Sequence, residues 1–269
     1  MRLRFAALAV AAGVLLSACG SGPSAAEDPD APLRIGVSPT PHGEILEYVD
    51  DNLAEQAGVD IEIEKFNDYI RPNQALQHGE LDANYFQHQA YLDEYEKEHG
   101  GEFAWVQSVH LEPLALYSKK FNSAQEIPDG ATVTISNDPS NRFRALKLLE
   151  QGGLIKLKPE AGVGARPAEA IAENAKNLQI TDLSADQLPR SIEDAAAAVV
   201  NGNYAVKANL SDPLVVEKTE GNPYANGLVT TPQLAEDPRV RELAELLRSP
   251  RVQDYIEQKW GGEAVLPAA

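Results

Sequence analysis

From residue 33 onward the sequence alternates short apolar runs with stretches of helical period, which limits the chain to an α/β architecture. The clearest unit is the apolar run 132–135 followed by Asn137-Asp138-Pro139-Ser140-Asn141-Arg142-Phe143-Arg144-Ala145-Leu146-Lys147-Leu148. It reads as strand, tight turn and helix start. Asp138 suits the N-cap, Pro139 suits the first helical position, where its missing N–H has no partner, and apolar residues then recur at helical spacing. Asn141 and Arg144 are three apart and share a face. Free N–H groups at a helix start and an arginine fork one turn in can grip a small anion. The alternative is an ordinary capped surface helix with a solvated arginine.

Before this unit the pattern predicts strands over 33–38, 59–66, 83–86 and 103–109, and helices over 45–53, 72–78 and 89–99. After it come a helix over 139–151, a strand near Ile155, a helix over 168–175, a strand over 178–183 and a passage from helix to strand through 194–200. A loop at 222–227 feeds a strand over 228–231, and amphipathic helices over 238–247 and 250–260 close the chain. The alternation predicts mainly parallel sheets with ligand at the carboxyl ends of the strands. The closing helices bring little sheet of their own, so the chain is expected to return to its first unit. It would cross between units near 111–117 and again near 223–231. The expected lobes are 33–113 with 224–269, and 114–223.

The chain begins Met1-Arg2-Leu3-Arg4, continues through apolar residues 5–16 and reaches Leu16-Ser17-Ala18-Cys19. A basic start, a short apolar core and small residues make a secretory signal, because a membrane span needs about 20 apolar residues. Leu16–Cys19 resembles a bacterial lipobox. That resemblance implies a signal peptide at 1–18, cleavage before Cys19, diacylglycerol on its sulfur, and a lipidated flexible linker at 19–32. One acyl chain anchors only marginally and two or more anchor stably. The expected location is the extracytoplasmic face of the cell membrane. Cys19 is the sole cysteine, so no intrachain disulfide can form and the fold must be held by its core.

Net charge is −18, and −20 once Arg2 and Arg4 leave with the signal. Such a surface repels nucleic acid and anionic headgroups, so the lipid must hold the chain at the membrane and no nucleic-acid partner is expected.

Several motifs in one order carry a wider resemblance: Phe66-Asn67-Asp68-Tyr69, Asp82-Ala83-Asn84-Tyr85-Phe86-Gln87-His88, Tyr117-Ser118-Lys119-Lys120, the 137–144 run, Gly153-Leu154-Ile155-Lys156-Leu157, Gln187-Leu188-Pro189-Arg190-Ser191 and Asn222-Pro223-Tyr224-Ala225-Asn226. Together they resemble the methionine-binding lipoprotein family of ABC importers, MetQ/NlpA, over nearly the whole mature chain. The resemblance implies a two-lobe, periplasmic-binding-protein-like α/β fold with two crossing segments and a ligand cleft between the lobes. It also implies capture of methionine, with the enantiomer open, and delivery to an ABC permease and its ATPase, without catalysis or cofactor.

Carried over by that resemblance, Arg144 clamps the ligand carboxylate and Asn141 assists. Asn201 and Asn226 hydrogen-bond the amino-acid head group, although an asparagine before glycine is also a common turn residue. Tyr69, Phe86 and His88 build the side-chain pocket, where a thioether gains roughly 0.3–1.5 kcal/mol per aromatic contact. Aromatic rings are also ordinary core, and His88 could be structural. Glu112 takes the ligand ammonium or pairs with a lysine. Methionine has about nine non-hydrogen atoms, so nanomolar affinity requires contact with nearly all of them. That demands closure of two lobes, with solvent in the empty cleft sparing Arg144 from being buried unpaired.

Two other classes fit less well. A metal receptor built on His42, His78, His88 and His110 lacks close paired spacing, and a hydrolase lacks a Gly-x-Ser-x-Gly elbow. A methionine-containing dipeptide is the rival ligand within the binding class, and it needs a longer cleft.

Overall fold

The computed structural model describes Asp28 and residues 31–268; the signal peptide, Cys19 and most of the linker lie outside the described residues. The strands are β1 (Leu33–Val37), β2 (Ile61–Lys65), β3 (Ala83–His88), β4 (Ala104–Leu111), β5 (Ala115–Tyr117), β6 (Thr132–Ser136), β7 (Lys156–Leu157), β8 (Ile171–Glu173), β9 (Gln179–Leu183), β10 (Ala197–Val200), β11 (Val215–Val216), β12 (Asn226–Thr230) and β13 (Leu266–Pro267). They form a six-stranded sheet in the order β13-β4-β12-β3-β1-β2 and a five-stranded sheet in the order β11-β5-β10-β6-β9, while β7 and β8 pair separately.

The chain passes from the first sheet to the second between β4 and β5, and returns between β11 and β12. That return corrects the expectation of mainly parallel sheets. Each sheet has a parallel trio, β2-β1-β3 or β10-β6-β9. Beside it, β12 and β4 in one sheet and β5 in the other run antiparallel to their neighbours. β5 and β12 are the strands that follow the two crossings, and each enters its sheet antiparallel to the trio beside it.

The first core gathers Leu33, Ile35, Val37, Ile45, Leu46 and Val49 with Leu243 and Ile256 of the closing helices Pro238–Arg248 and Pro250–Trp260. The second gathers Leu116, Val133, Ile135, Leu146, Leu149 and Val199. Strand β3 is buried throughout, including Asn84 and Gln87. Its amides are satisfied locally: the Asn73 amide donates to Gln87 Oε1 at 2.9 Å, and Asn73 Oδ1 accepts from Asn84 at 2.8 Å and Gln87 at 2.7 Å. Buried polar groups are tolerated when paired in this way.

Helices at Gln89–His99, Pro139–Gln151 and Pro250–Trp260 keep the bounds their patterns predict. The segment 168–175 does not. Only Pro167–Ala170 is helical, and Ile171–Glu173 turns to pair with Lys156–Leu157. A partner strand outside the local window overrides alanine-rich helix propensity there.

Candidate ligand site

The carboxyl ends of the parallel strands aim at one cleft between the two sheets. β3 ends at His88, β10 delivers Asn201, and β6 leads through a turn into the Pro139–Gln151 helix. Asp138 caps that helix, accepting the Asn141 backbone N–H at 2.8 Å and the Ser136 hydroxyl at 2.6 Å. From the returning strand, Asn226 stands in register with both His88 and His110.

A cavity with about 330 Å³ of empty space, part of it open to solvent, lies there. Tyr69, Phe86, His88, Glu112, Asn141, Arg144, Asn201 and Asn226, all named from the sequence, line it. Gln87, Tyr91, Gly202 and Asn203 also line it and were not anticipated. Tyr91 had a visible signal, since it lies one helical turn beyond His88.

Three features depart from expectation. The first concerns Arg144, which is 3% exposed and is paired by Glu217 rather than by solvent. Arg144 Nε donates to Glu217 Oε1 at 2.9 Å, and Nη2 donates to Glu217 Oε2 at 2.6 Å and to the Glu112 carbonyl at 2.9 Å. Among the described residues, Nη1 has no hydrogen-bond partner. The guanidinium lies 4.5 Å from the Tyr224 ring centroid. Burial pushes the Glu217 carboxyl up, but Arg144 and the Leu114 N–H outweigh it and hold the group below the usual carboxylate range. No local pattern announces Glu217, which is 73 residues from its partner.

The second departure is Asn141, whose side chain is used by the protein itself. Its amide donates to both Asp138 oxygens at 3.1 Å, and its Oδ1 meets His88 Nε2 at 3.1 Å and the Asn201 amide at 3.0 Å. Asn201 Oδ1 is left buried with no partner among the described residues, and this asparagine makes no side-chain cap to the helix it starts, Gly202–Lys207. A buried acceptor on the cavity wall calls for a donor.

The third departure is Glu112, whose side-chain partners among the described residues are histidines rather than a lysine. His110 Nε2 lies 2.7 Å from Glu112 Oε1, while Tyr85 hydrogen-bonds His110 Nδ1. His42 Nε2 is 3.4 Å from the same oxygen. Burial holds both imidazoles near a pKa of about 3, so they face Glu112 as neutral rings. Burial also raises the Glu112 carboxyl, against the pull of His42, the Asn203 N–H and Arg144. The Asn226 amide lies close enough to His42 to favour its charged form slightly, yet no hydrogen bond of normal geometry reaches either ring nitrogen.

His42, His110 and Glu112 bring donor atoms within 4.8 Å of one another, a set that could hold a metal. The 2.7 Å His110–Glu112 separation is a hydrogen bond, shorter than the roughly 3.3 Å between neighbouring donors around tetrahedral zinc. His78, the fourth histidine of the metal alternative, is exposed at the end of its helix, and His88 pairs with Asn141.

The two halves also touch directly at the cleft. Tyr69 donates to Asn203 Oδ1 at 2.6 Å, Tyr204 to the Asn67 carbonyl at 2.8 Å, and Lys207 to Asn67 Oδ1 at 2.7 Å. Tyr69, Phe86 and Tyr91 form one aromatic wall, with ring centroids 5.8–6.0 Å apart.

The sequence profile of the NlpA lipoprotein family matches residues 33–269. The chain belongs to this family. Over 268 residues it is 39% identical to the D-methionine-binding lipoprotein MetQ of Salmonella typhimurium, covering 97% of this chain and 96% of that protein. Over 270 residues it is 35% identical to the methionine-binding lipoprotein MetQ of Bacillus subtilis, covering 98% and 97%. A nutrient-binding protein from Burkholderia cenocepacia, solved bound to methionine, superposes with a TM-score of 0.84 at 39% identity, covering 88% of this chain and all of that one. This NlpA-family chain therefore has the two-lobe α/β fold of the family's substrate-binding proteins. Among the described residues, no helix is long and apolar enough to cross a membrane.

Proposed function

We propose that this chain is the lipid-anchored, extracytoplasmic substrate-binding component of an ABC importer. It captures one methionine between lobes 33–113 with 224–269 and 114–223, and delivers it unchanged to a permease and its ATPase. Cys19 carries the lipid. Arg144 Nη1 takes the ligand carboxylate. The ammonium meets Asn201 Oδ1 and the Glu112 carboxylate, with Asn226 beside them. Tyr69, Phe86 and Tyr91 cover the thioether. His88 and Asn141 hold the wall in place.

The observation that carries this reading is chemical complementarity within one cavity. Among the described residues it offers an arginine edge without a partner, a buried amide oxygen without a donor, and an aromatic wall. A zwitterion with a soft apolar tail satisfies all three. The relatives named for methionine binding support the same ligand. Mass spectrometry of ligand released from gently purified, undialysed protein tests the proposal. One equivalent of methionine is expected. A dipeptide, or a metal ion without amino acid, would displace it.

A further inference from the structure

We propose that Glu217 is a positioning residue for recognition of a free α-carboxylate: it holds the Arg144 guanidinium so that its one uncommitted nitrogen faces the cavity. The inference rests on the assignment of Arg144 as the carboxylate clamp. Glu217 does not line the cavity, so a ligand would meet Arg144 and not the glutamate.

The geometry constrains the arginine on three sides. Glu217 occupies the Nε and Nη2 edge with two hydrogen bonds, the Glu112 carbonyl takes another from Nη2, and Tyr224 stacks against the guanidinium. A guanidinium has five N–H donors in a rigid fork, so only the two on Nη1 remain to bind. Rotamer freedom that a solvated arginine would lose on binding is already gone. Pairing also keeps a buried cation from standing uncompensated in the empty cleft.

Glu217 is itself fixed at both crossings. Its Oε2 accepts the Leu114 N–H at 3.1 Å, its own N–H donates to the Leu114 carbonyl at 2.9 Å, and Asn222 lies near enough to its carboxylate to favour the ionised form. Leu114 belongs to the outward crossing, while Glu217 and Asn222 belong to the return. The clamp is therefore mounted on the two segments about which the lobes would move.

The test is calorimetry of the full mature protein with L-methionine and with L-methioninamide, whose acid end is neutral. Wild type, Glu217→Gln and Glu217→Asp are compared. Wild type is expected to prefer methionine strongly. Glu217→Gln puts an amide donor against an arginine donor, so methionine affinity should fall about 10- to 100-fold, with the amide's affinity unchanged within error. Glu217→Asp keeps the charge but shortens the reach, and should give an intermediate ratio. Equal losses for both ligands, or no loss for either, would leave Glu217 a merely structural residue and overturn the inference alone. Wild type that binds methionine and its amide alike would overturn the Arg144 assignment and the Glu217 role with it.

Discussion

His88 Nε2 and Asn141 Oδ1 lie 3.1 Å apart, joining a strand end of one half to a helix start of the other. His88 Nδ1 accepts the Tyr91 N–H at 3.1 Å, so the proton of the neutral ring sits on Nε2 and is donated to Asn141. Asn141→Leu would strand that donor and the Asn201 amide, each at a cost of about 1–3 kcal/mol. Calorimetry should show methionine affinity falling at least about tenfold, with a lower melting temperature. Unchanged affinity would mean that Asn141 does not organise the cleft.

The ring of His88 also sets a pH dependence. Burial, assisted by the nearby Arg144 charge, lowers its pKa from 6.5 to about 3. Between those values the unfolded chain takes up a proton that the folded one refuses. The stability tied to neutral His88 is therefore present above about pH 6.5 and is lost as pH falls toward about 3. His42 and His110 act in the same sense, whereas the raised Glu112 carboxyl favours the fold at acid pH and loses that contribution as pH rises. Urea midpoints measured from pH 7 to 4 should fall less steeply for His88→Gln than for wild type. Parallel curves would show that His88 is not the group responsible.

Closure can be probed through the Tyr69–Asn203 hydrogen bond. Tyr69→Phe keeps the aromatic wall but removes the donor that reaches across the cleft. The loss of about 0.5–1.5 kcal/mol corresponds to roughly a 2- to 10-fold weaker complex. The change should appear as faster dissociation in stopped-flow fluorescence, because the bond forms only when the halves meet. A slower association with an unaltered off-rate would assign Tyr69 to the encounter instead.

Gly202 leaves no room for a side chain. A Cβ there would stand 2.5 Å from Glu112 Cβ and 3.1 Å from Glu112 Oε2. Gly202→Ala should therefore displace Glu112, with about 1–3 kcal/mol of overpacking. Methionine binding should suffer more than the melting temperature does. If a folded variant retains full affinity, Glu112 does not hold the ammonium.

Local chemistry made some of this legible in the sequence. Asp138-Pro139 announces the helix it starts, and the Gln89–His99 and Pro250–Trp260 helices follow from period and caps. Sheet direction was not legible, because it depends on how β5 and β12 re-enter after the crossings. Residues 168–175 misled for the same reason, since β7 supplies a partner from a distance. At the site, resemblance to a family carried the residue choices, which spacing alone left open. Glu217 could not be found from spacing, and neither could the approach of His42 to the closely spaced His110 and Glu112, because each pairs segments that only the fold brings together.

One methionine is expected to lie across the cleft with its acid end at Arg144 and its sulfur against the aromatic wall. The only methionine in the chain is Met1, within the predicted signal, so mature protein crystallised with selenomethionine as ligand would contain selenium only in that ligand. Anomalous diffraction would locate it directly. A single peak is expected beside Tyr69, Phe86 and Tyr91, with carboxylate density on Arg144 Nη1. A peak at the Arg144 end of the cavity, or none in the cleft, would contradict it.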